Sequence, residues 1–358
     1  MQHLSGAIYN WYRKNKRDLP WRQTSDPYKI WISEIILQQT RIEQGISYYH
    51  KFTDTFPAVT DLAEAPEDKV LKLWQGLGYY SRARNLHRAA KKIAEKYEGV
   101  FPNRYNIIKD LPGVGPYTAA AVASIAFGLP YPAVDGNVYR VLSRYFGIET
   151  PIDSTKGKKE FLELAETLVA ESDPGMHNQA FMEFGALQCV PRNPDCGNCP
   201  LQHSCYALLN KKVEVYPIKE KKTKQTSRYF YYYLIEQADA IYLEKRTGND
   251  IWRNLYQFPL TETKNALNDR QLIQQNIPGL SNNSAFNVVS VSETKKHILS
   301  HQIIWARLIR VEISKDVTIE NPFIKVNKKD ISKFAVPRLL EHFIEAIDFN
   351  DEKTNNNQ

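Results

Sequence analysis

The first 205 residues place hydrophobic positions at helical spacing, interrupted by short turns that contain Gly or Pro. The clearest helix start is at Asp26, whose side chain can cap a helix, followed by Pro27, which fits the first turn. The pattern predicts helices over residues 28–41, 66–75, 81–97, 118–127, 138–146 and 156–171. We therefore expect a mainly α domain over residues 1–205.

The pattern changes at Ser227. Segments rich in Tyr and Ile predict strands over residues 228–236, 240–246 and 302–313. A helical pattern returns over residues 336–347. These elements predict a separate α+β domain over residues 227–350.

Two polar segments complete the predicted organisation. Residues 206–226 have little apolar periodicity, and six lysines, two glutamates and one proline lie between Lys211 and Lys224. This composition predicts a basic connector between the domains. Residues 351–358 are polar and are expected to form a disordered tail.

Composition and charge narrow the class of protein. Hydrophobic residues make up 42% of the 358 residues and charged residues 24%, which excludes a mostly disordered chain. The net charge of +7 favours a polyanionic partner. No apolar run approaches the ~20 residues of a membrane helix, and the N-terminus lacks the pattern of a signal peptide. We therefore expect a cytoplasmic protein.

The chain has four cysteines, all within one segment of 17 residues: Cys189, Cys196, Cys199 and Cys205. In a reducing cytosol this clustering indicates metal ligation rather than disulfides. Four thiolates can hold zinc or a 4Fe–4S cluster. The spacing has one close pair instead of the two that are usual for structural zinc, and so favours iron–sulfur. Arg192 in the same loop is either a phosphate contact or simply solvated.

A Gly-x-Gly turn joins two predicted helices at Gly113 and Gly115, directly before Pro116 and Tyr117. Glycines permit positive φ and leave backbone N–H groups unobstructed. Together with the start of the next helix, these N–H groups can bind an anion. The turn has no following Lys-Ser/Thr pair, so it is not a Walker A loop. An ordinary connection between helices is the alternative interpretation.

The order of these motifs is informative. About twenty residues after the turn comes Val134-Asp135-Gly136-Asn137-Val138, and then the four cysteines. Over residues 1 to about 210 this order resembles the helix–hairpin–helix DNA glycosylases of the endonuclease III superfamily. The resemblance implies that the hairpin amides hold a DNA phosphate, that Asp135 acts at the sugar and that the cluster is 4Fe–4S. It also implies a monovalent cation at the hairpin and no nucleotide cofactor.

Further motifs resemble the adenine-excising MutY family within this superfamily. They begin at Leu19, Trp31, Gly76 and Val134. The resemblance implies a nucleoid-associated, monomeric enzyme of base excision repair that removes adenine opposite 8-oxoguanine or guanine in duplex DNA. Lyase members have a lysine where this chain has Tyr117, and a Schiff base needs a primary amine. The expected reaction is therefore simple hydrolysis of the N-glycosidic bond.

Two carboxyl groups in different environments suit this chemistry. Glu34 lies among hydrophobic residues, which would raise its pKa and allow it to protonate the leaving adenine. Asp135 precedes a helix start, where backbone N–H groups can keep it ionised to stabilise the sugar cation. The resemblance implies that Tyr117 and Asn137 orient these acids and the water. A surface glutamate and a helix N-cap are the structural alternatives.

Base extrusion leaves a gap in the stack that a wedge must fill. By resemblance, Gln39, Tyr79 and Leu77 form that wedge, and Arg82, Arg84 and Arg88 face phosphates. Tyr79 is alternatively a core aromatic that caps a helix. The complete set of predicted DNA-binding residues is Arg22, Gln39, Thr40, Leu77, Tyr79, Arg82, Gly113, Gly115 and Arg192.

The second domain resembles the Nudix-like domain that ends MutY proteins, most clearly around Trp252 and Pro259. No Arg-Glu-x2-Glu-Glu run occurs between residues 227 and 350, which argues against a pyrophosphatase and for a reader of damaged bases. The family's reading loop is Phe-Ser-His. This chain has Leu299, Ser300 and His301, so the aromatic contact is missing while the hydroxyl remains.

Two other functions are compatible with parts of the pattern. One is a thymine or uracil mismatch glycosylase of the same superfamily, although a pyrimidine leaving group gives Glu34 less to protonate. The other is a catalytically silent DNA-binding iron–sulfur protein, against which the presence of both Glu34 and Asp135 argues.

Overall fold

A computed structural model describes residues 2–169, 173–220, 225–281 and 284–347. The chain divides into two compact units. The first unit comprises Met1–Ala65 and Asn85–Lys221, and the second comprises Pro66–Arg84 and Lys222–Gln358. The chain thus enters the second unit twice. The tail predicted at 351–358, residues 170–171 of a predicted helix and part of the predicted connector lie outside the described residues.

The first unit is helical. In chain order the helices are α1 (Gln2–Asn15), α2 (Pro27–Leu37), α3 (Ile42–Thr55), α4 (Val59–Glu64), α5 (Glu67–Trp74), α6 (Ser81–Tyr97), α7 (Tyr105–Lys109), α8 (Pro116–Phe127), α9 (Gly136–Phe146), α10 (Thr155–Leu168), α11 (Pro174–Leu187) and α12 (Tyr206–Leu209). Of these, α5 belongs to the second unit, and the boundary between the units falls within α6.

Most predicted helices are present, with shifted ends. Asp26 caps α2 as expected, accepting a hydrogen bond from the backbone N–H of Tyr28 at 2.9 Å. α2 ends at Leu37, before the predicted end, because Gln38 has a ψ of 112° and Gln39 a left-handed φ of 58°. The pattern missed α1, α3, α4, α7, α11 and α12. In α11, Gly175 and Gly185 weaken the helical signal.

Those glycines have a packing role. A Cβ at Gly175 would lie 3.0 Å from the carbonyl oxygen of Ser124, and one at Gly185 would lie 2.7 Å from the Cβ of Asn137. Close approach through glycine therefore lets α11 pack against α8 and α9. α11 also packs against α1, and α2 packs against α3 and α8. Four helices, α2, α8, α9 and α11, thereby form the framework of the site.

In the described part of the chain, the second unit carries an eight-stranded mixed sheet. The strands are β1 (Thr226–Gln237), β2 (Ala240–Lys245), β3 (Tyr256–Gln257), β4 (Leu260–Thr263), β5 (Phe286–Val291), β6 (Lys295–Ile298), β7 (Gln302–Ile313) and β8 (Ile324–Asn327), with α13 (Asp269–Ile273) and α14 (Arg338–Ile344). Neighbours run β3-β2-β1-β7-β5, while β4 pairs with β1, β6 with β7 and β8 with β2.

Alternating side chains of β1 divide the core of this unit between the two faces of the sheet. Phe230 and Tyr232 face one hydrophobic cluster together with α14. Tyr231 and Tyr233 face the other cluster, which includes Leu272 of α13. β1 and β7 are paired in parallel and the other pairs are antiparallel. The predicted mainly α half followed by an α+β half is confirmed.

Among the described residues, none of the helices combines the length and the hydropathy needed to cross a membrane.

Candidate active site

A cavity of about 600 Å³ lies in the first unit, bounded by α2, α8, α9 and α11. Its walls contain all four predicted catalytic side chains, Glu34, Tyr117, Asp135 and Asn137. Three predicted DNA-binding residues, Arg22, Gln39 and Thr40, also line it. Residues from distant parts of the sequence are therefore brought to one site.

Glu34 lies in the middle of α2 and is only 9% exposed. Its helical neighbours Trp31, Ile35 and Ile36 are buried, so the carboxyl group is removed from water. Burial raises the pKa of Glu34 to about 7, and the nearby Asp135 carboxylate acts in the same direction. A hydrogen bond from Tyr117 and the Arg22 guanidinium oppose this rise in pKa. The carboxyl group of Glu34 can thus carry a proton near neutral pH.

Asp135 is the N-cap of α9, as the sequence suggested. Its carboxylate accepts hydrogen bonds from the backbone N–H groups of Asn137 at 2.9 Å and Val138 at 2.8 Å. The amide Nδ2 of Asn137 adds a third bond at 2.7 Å. Burial nevertheless raises the pKa of Asp135, against the effect of these donors and of Arg140. The donors fix the orientation of the carboxylate and act to lower its pKa, but desolvation outweighs them and the net shift is upward.

Tyr117 and Asn137 complete the group around the two acids. The Tyr117 hydroxyl donates to the sulfur of Met182 at 3.2 Å, and burial raises its pKa well above the usual range. The phenol therefore stays protonated. Asn137 accepts a hydrogen bond from Arg140 at 2.8 Å while its own amide holds Asp135. Each acid thus has a polar neighbour that restrains its position.

A buried ion cluster in the same cavity was missed by the sequence analysis. Glu183 of α11 is 1% exposed and accepts paired hydrogen bonds from Arg17 and Arg22, between 2.6 and 2.9 Å. Burial alone would raise the pKa of Glu183, but these bonds lower it to about 2. Arg22, predicted to contact DNA, is thereby fixed in the cavity wall. Glu183 is the only acidic residue of α11, and this was the available signal.

The predicted anion-binding turn has two glycines in different conformations. Gly113 has a φ of 76°, and a Cβ there would lie 2.5 Å from the Cβ of Asn85. Gly115 has an ordinary φ of −91° and starts α8, and a Cβ added there would meet nothing within 4 Å. Of the two glycines, only Gly113 adopts the positive φ that glycine permits. The open space at Gly115 leaves room for an approaching group, and the hairpin cation stays a prediction.

The four cysteines surround a small enclosed cavity of about 30 Å³. Arg144 donates a hydrogen bond to the sulfur of Cys189 at 3.4 Å and to the carbonyl of Val190 at 2.8 Å. Burial raises the pKa of Cys199 to about 11, so a bound metal must displace that proton. Four thiols around one cavity fit the donor set of an iron–sulfur cluster. No cluster of His, Cys, Asp or Glu in the described residues is arranged for a single metal ion.

This cysteine loop is connected to Asp135 by hydrogen bonds. Arg140 donates to the carbonyl of Cys189 at 2.7 Å and to Asn137 at 2.8 Å, and Asn137 in turn holds Asp135. Arg192 is exposed on the loop, where it is available to a partner.

Three predicted DNA-binding residues lie in the second unit. Leu77 is buried, and Tyr79 is 51% exposed with a left-handed φ of 45°. Arg82 is buried at 8% exposure and stacks 5.0 Å above the ring of Trp74, and burial lowers its pKa to about 10. Its guanidinium donates to the carbonyls of the loop at residues 77 and 78. Arg82 therefore supports this loop rather than facing solvent.

The predicted reading loop forms the tip of the hairpin between β6 and β7. Leu299 packs against the core, while Ser300 and His301 are exposed. The hydroxyl groups of Ser300 and Tyr79 lie 2.5 Å apart. The structure thus brings together a predicted wedge residue and a predicted reading residue that are 221 positions apart in the sequence.

The two remaining arginines are engaged within the chain. Arg84 donates to the carbonyl of Arg253 at 2.8 Å, and Arg88 donates to the side chain of Asn85 at 2.5 Å. Gln39 is exposed beside the cavity.

Three family models match consecutive parts of the chain. The HhH-GPD superfamily of base excision DNA repair proteins matches residues 32–169. The iron–sulfur binding domain of endonuclease III matches residues 189–205, and the NUDIX domain matches residues 230–346. These matches define the class as a helix–hairpin–helix DNA glycosylase with an iron–sulfur loop and a Nudix-like domain. The expectation of one 4Fe–4S cluster is confirmed at this level.

Similar proteins narrow the class further. The adenine DNA glycosylase of Buchnera aphidicola is 35% identical over 344 residues, which cover 96% of this chain and 97% of that protein. The human adenine DNA glycosylase is 43% identical over 211 residues, or 56% of this chain and 39% of that protein. The chain belongs to the adenine DNA glycosylase (MutY) family, whose members hydrolyse N-glycosidic bonds in base excision repair.

Solved structures share the fold of the helical half. A thermostable thymine-DNA glycosylase has a TM-score of 0.55 and 35% identity, and the match covers 58% of this chain and 95% of that one. Endonuclease III in a non-covalent DNA complex has a TM-score of 0.51 at 23% identity, over 59% of this chain and 95% of that one. The latter likeness shows the fold alone.

Proposed function

We propose that this protein excises adenine opposite 8-oxoguanine, and more slowly opposite guanine, by hydrolysis without a lyase step. The observation that carries the proposal is the pair of acids in one cavity. Glu34 is buried with its pKa raised to about 7, and Asp135 is held in a fixed orientation by three donors. A general acid works best with a pKa near the operating pH.

Each residue of the group has a separate task in this reaction. Glu34 donates its proton to the imidazole ring of adenine, so that the base leaves as a neutral molecule. The Asp135 carboxylate stabilises the positive charge that develops on the sugar. Asn137 holds Asp135 in place, and Tyr117 fixes the carboxyl group of Glu34. Water then adds to the sugar cation, and the proton that it releases returns to the carboxylate of Glu34.

The composition of the cavity wall supports simple hydrolysis. In the part of the chain that the structure describes, no lysine lines the cavity. A Schiff base with the sugar requires an amine, and Tyr117 offers only a phenol. Treatment with borohydride during turnover should therefore trap no protein–DNA adduct in amounts comparable to product. Efficient trapping would show that a lysine elsewhere acts as the nucleophile.

The second unit supports a preference for the oxidised base. Ser300 is exposed at a hairpin tip next to Tyr79. 8-Oxoguanine differs from guanine by one carbonyl and one N–H group, and one hydrogen bond contributes roughly 1 kcal/mol. Ser300 can supply that bond while Tyr79 enters the stack. The reader role is assigned to residues 227–350, together with the segment 66–84 that groups with them.

The iron–sulfur loop has a structural task in this proposal. Cys189, Cys196, Cys199 and Cys205 would hold the cluster, which organises the loop and takes no part in hydrolysis, a reaction without electron transfer. Arg192 on this loop and Gly115 at the hairpin would then face phosphates. Protein purified without oxygen should carry about four irons per chain. Stoichiometric zinc without sulfide would contradict this assignment.

The alternative function is that of a pyrimidine mismatch glycosylase. It is supported by the similarity of the helical half to a thymine-DNA glycosylase. Single-turnover cleavage of four duplexes, with A opposite 8-oxoguanine, A opposite G, A opposite T and T opposite G, separates the possibilities. We expect A opposite 8-oxoguanine to be cleaved fastest and A opposite G more slowly. Cleavage of the other two duplexes should be negligible. Cleavage of T opposite G at a higher rate than the adenine-containing duplexes would establish the alternative. Cleavage of none of the four duplexes would indicate a silent DNA-binding protein. The enzyme is expected to act as a monomer, which sedimentation checks.

A further inference from the structure

The loop that presents the exposed Tyr79 is held by its backbone conformation and by hydrogen bonds. Its Gly76, Gly78 and Tyr79 all have left-handed φ values of 97°, 70° and 45°. The Trp74 ring nitrogen donates to the carbonyl of Gly78 at 3.0 Å, and Arg82 donates to the same carbonyl at 3.3 Å. We call residues 76–80 the wedge loop.

A second set of contacts joins the wedge loop and its preceding helix to the C-terminal part of the same unit. They converge on the backbone of residues 334–336, just before α14, which we call the 334–336 corner. The Oε1 atom of Gln75 accepts from the Val336 N–H at 3.4 Å, and the Tyr80 hydroxyl donates to the Val336 carbonyl at 3.4 Å. Lys72 donates to the carbonyl of Phe334 at 3.1 Å.

Gln75 is the centre of these contacts. Besides the 334–336 corner, its Oε1 accepts from the Lys72 ammonium at 2.8 Å, and its Nε2 donates to Glu341 of α14 at 3.0 Å. One amide therefore connects α5, α14 and the 334–336 corner. An amide suits this position because its oxygen can accept from two donors while its nitrogen donates to a carboxylate.

We infer that Gln75 is a positioning residue for 8-oxoguanine discrimination, because it fixes the wedge loop relative to the reading hairpin. This inference rests on the proposed function. Two sets of contacts join residues 75–80 to the C-terminal part of the second unit: Tyr79 meets Ser300, and Gln75 with Tyr80 meets the 334–336 corner. Insertion of Tyr79 beside the lesion is then coupled to recognition of the lesion by Ser300, so that the two contacts form together. Loosening the Gln75 contacts should reduce discrimination between 8-oxoguanine and guanine.

The donor and acceptor pattern allows a test by exchange. Gln75→Glu keeps the acceptor for Lys72 and Val336 but places a carboxylate against Glu341. The double variant Gln75→Glu/Glu341→Gln again pairs one amide with one carboxylate. The amide at position 341 then donates to the carboxylate at position 75, which reverses the wild-type direction of the hydrogen bond. Gln274→Glu makes the same charge change at an exposed position of the same unit and is the matched control.

Two quantities are measured in the full-length, cluster-containing protein. The first is the ratio of affinities for 8-oxoguanine and guanine duplexes that carry a non-hydrolysable adenosine analogue. The second is the fluorescence of 2-aminopurine next to the lesion, which reports unstacking by the wedge. We expect Gln75→Glu to reduce the ratio about fivefold to tenfold and to diminish the fluorescence change. The double variant should recover most of both, and Gln274→Glu should match wild type.

Several outcomes would overturn the inference. One is an equal loss of affinity for both duplexes in Gln75→Glu, which indicates a structural role only. Another is a folded double variant that does not regain the ratio. If Gln75→Glu does not fold, the double variant and the milder Glu341→Gln still decide between these outcomes. A wild-type protein with no preference for 8-oxoguanine would instead contradict the proposed function.

Discussion

Two glutamates line the same cavity from different helices, and their pKa values are shifted in opposite directions. Glu34 on α2 has its pKa raised to about 7, whereas Glu183 on α11 has its pKa lowered to about 2. Both are buried, so desolvation raises the pKa of each. The difference lies in the guanidinium groups, since Glu183 accepts paired hydrogen bonds from Arg17 and Arg22. Burial alone therefore does not define a general acid; the position of the nearest cations does.

The largest expected effect tests the Glu34 side of this comparison. Glu34→Gln preserves shape and removes the proton donor, so single-turnover excision of adenine should fall ~10²–10⁴-fold. DNA binding should be retained. Glu43→Gln, an exposed position that also lines the cavity, is the control and should cleave at nearly the wild-type rate. Cleavage by Glu34→Gln within a few-fold of wild type would show that another group is the acid.

The next effect tests the Glu183 side. Glu183→Gln leaves Arg17 and Arg22 without their carboxylate in a largely buried position, which should destabilise the fold by about 3 kcal/mol. Denaturant unfolding at pH 7 measures this change. Glu163→Gln removes an exposed carboxylate and should change the free energy of unfolding by less than about 0.5 kcal/mol. Equal stability of the two variants would mean that the ion cluster adds nothing.

The pH dependence of stability should have opposite signs for the two glutamates. Because the pKa of Glu34 is raised in the folded protein, the protonated form of this residue favours folding. This contribution to stability is fully present below about pH 4.5 and is lost as the pH rises to about 7. The lowered pKa of Glu183 gives stability that is complete above about pH 4.5 and is lost as pH falls towards 2. At pH 8, Glu34→Gln should therefore exceed wild type in stability by roughly 3 kcal/mol.

Unfolding curves between pH 2 and pH 8 check this prediction. The advantage of Glu34→Gln should shrink to near zero at pH 4.5, and the penalty of Glu183→Gln should decrease as the pH is lowered further. Parallel curves for Glu34→Gln and wild type would contradict the raised pKa.

The smallest effect concerns the second unit, whose residues should alter binding without altering the two pKa values. Leu299→Phe adds a ring at the reading hairpin and should tighten binding to 8-oxoguanine duplexes about twofold to tenfold. The rate of single-turnover cleavage and its pH profile should not change. Ile298→Phe, at a neighbouring exposed position, is the control. A changed pH profile in Leu299→Phe would contradict the separation of chemistry from reading.

Residues adjacent in sequence indicated the positions of the two acids of the candidate site. They did not indicate the long-range contacts that surround these acids. Asp135 was recognisable as an N-cap because the cap and its helix are adjacent in sequence. For Glu34, the apolar neighbours on α2 left a surface position open, and the family motif was needed to favour a buried acid. The pairing of Glu183 with Arg17 could not be predicted, because it spans 166 positions and depends on how α11 packs.

The same limit applies to the organisation of the units. Residues 66–84 have the helical pattern of the first half, yet they group with the C-terminal half. Their polar contacts, such as Lys72 to Phe334 across 262 positions, leave no local trace in the sequence. Likewise, the apolar character of Arg82's surroundings comes from Trp74 and the folded wedge loop, so its burial was not expected.

The helix α6 has a consequence for how the protein melts. Its 17 residues run without a break, but those up to Arg84 belong to one unit and those from Asn85 to the other. Helical structure forms and is lost cooperatively along a continuous segment. Loss of order in either unit should therefore shorten a helix on which the other depends. Fragments divided at this boundary should each show less helical structure by circular dichroism than the same residues have in the intact chain.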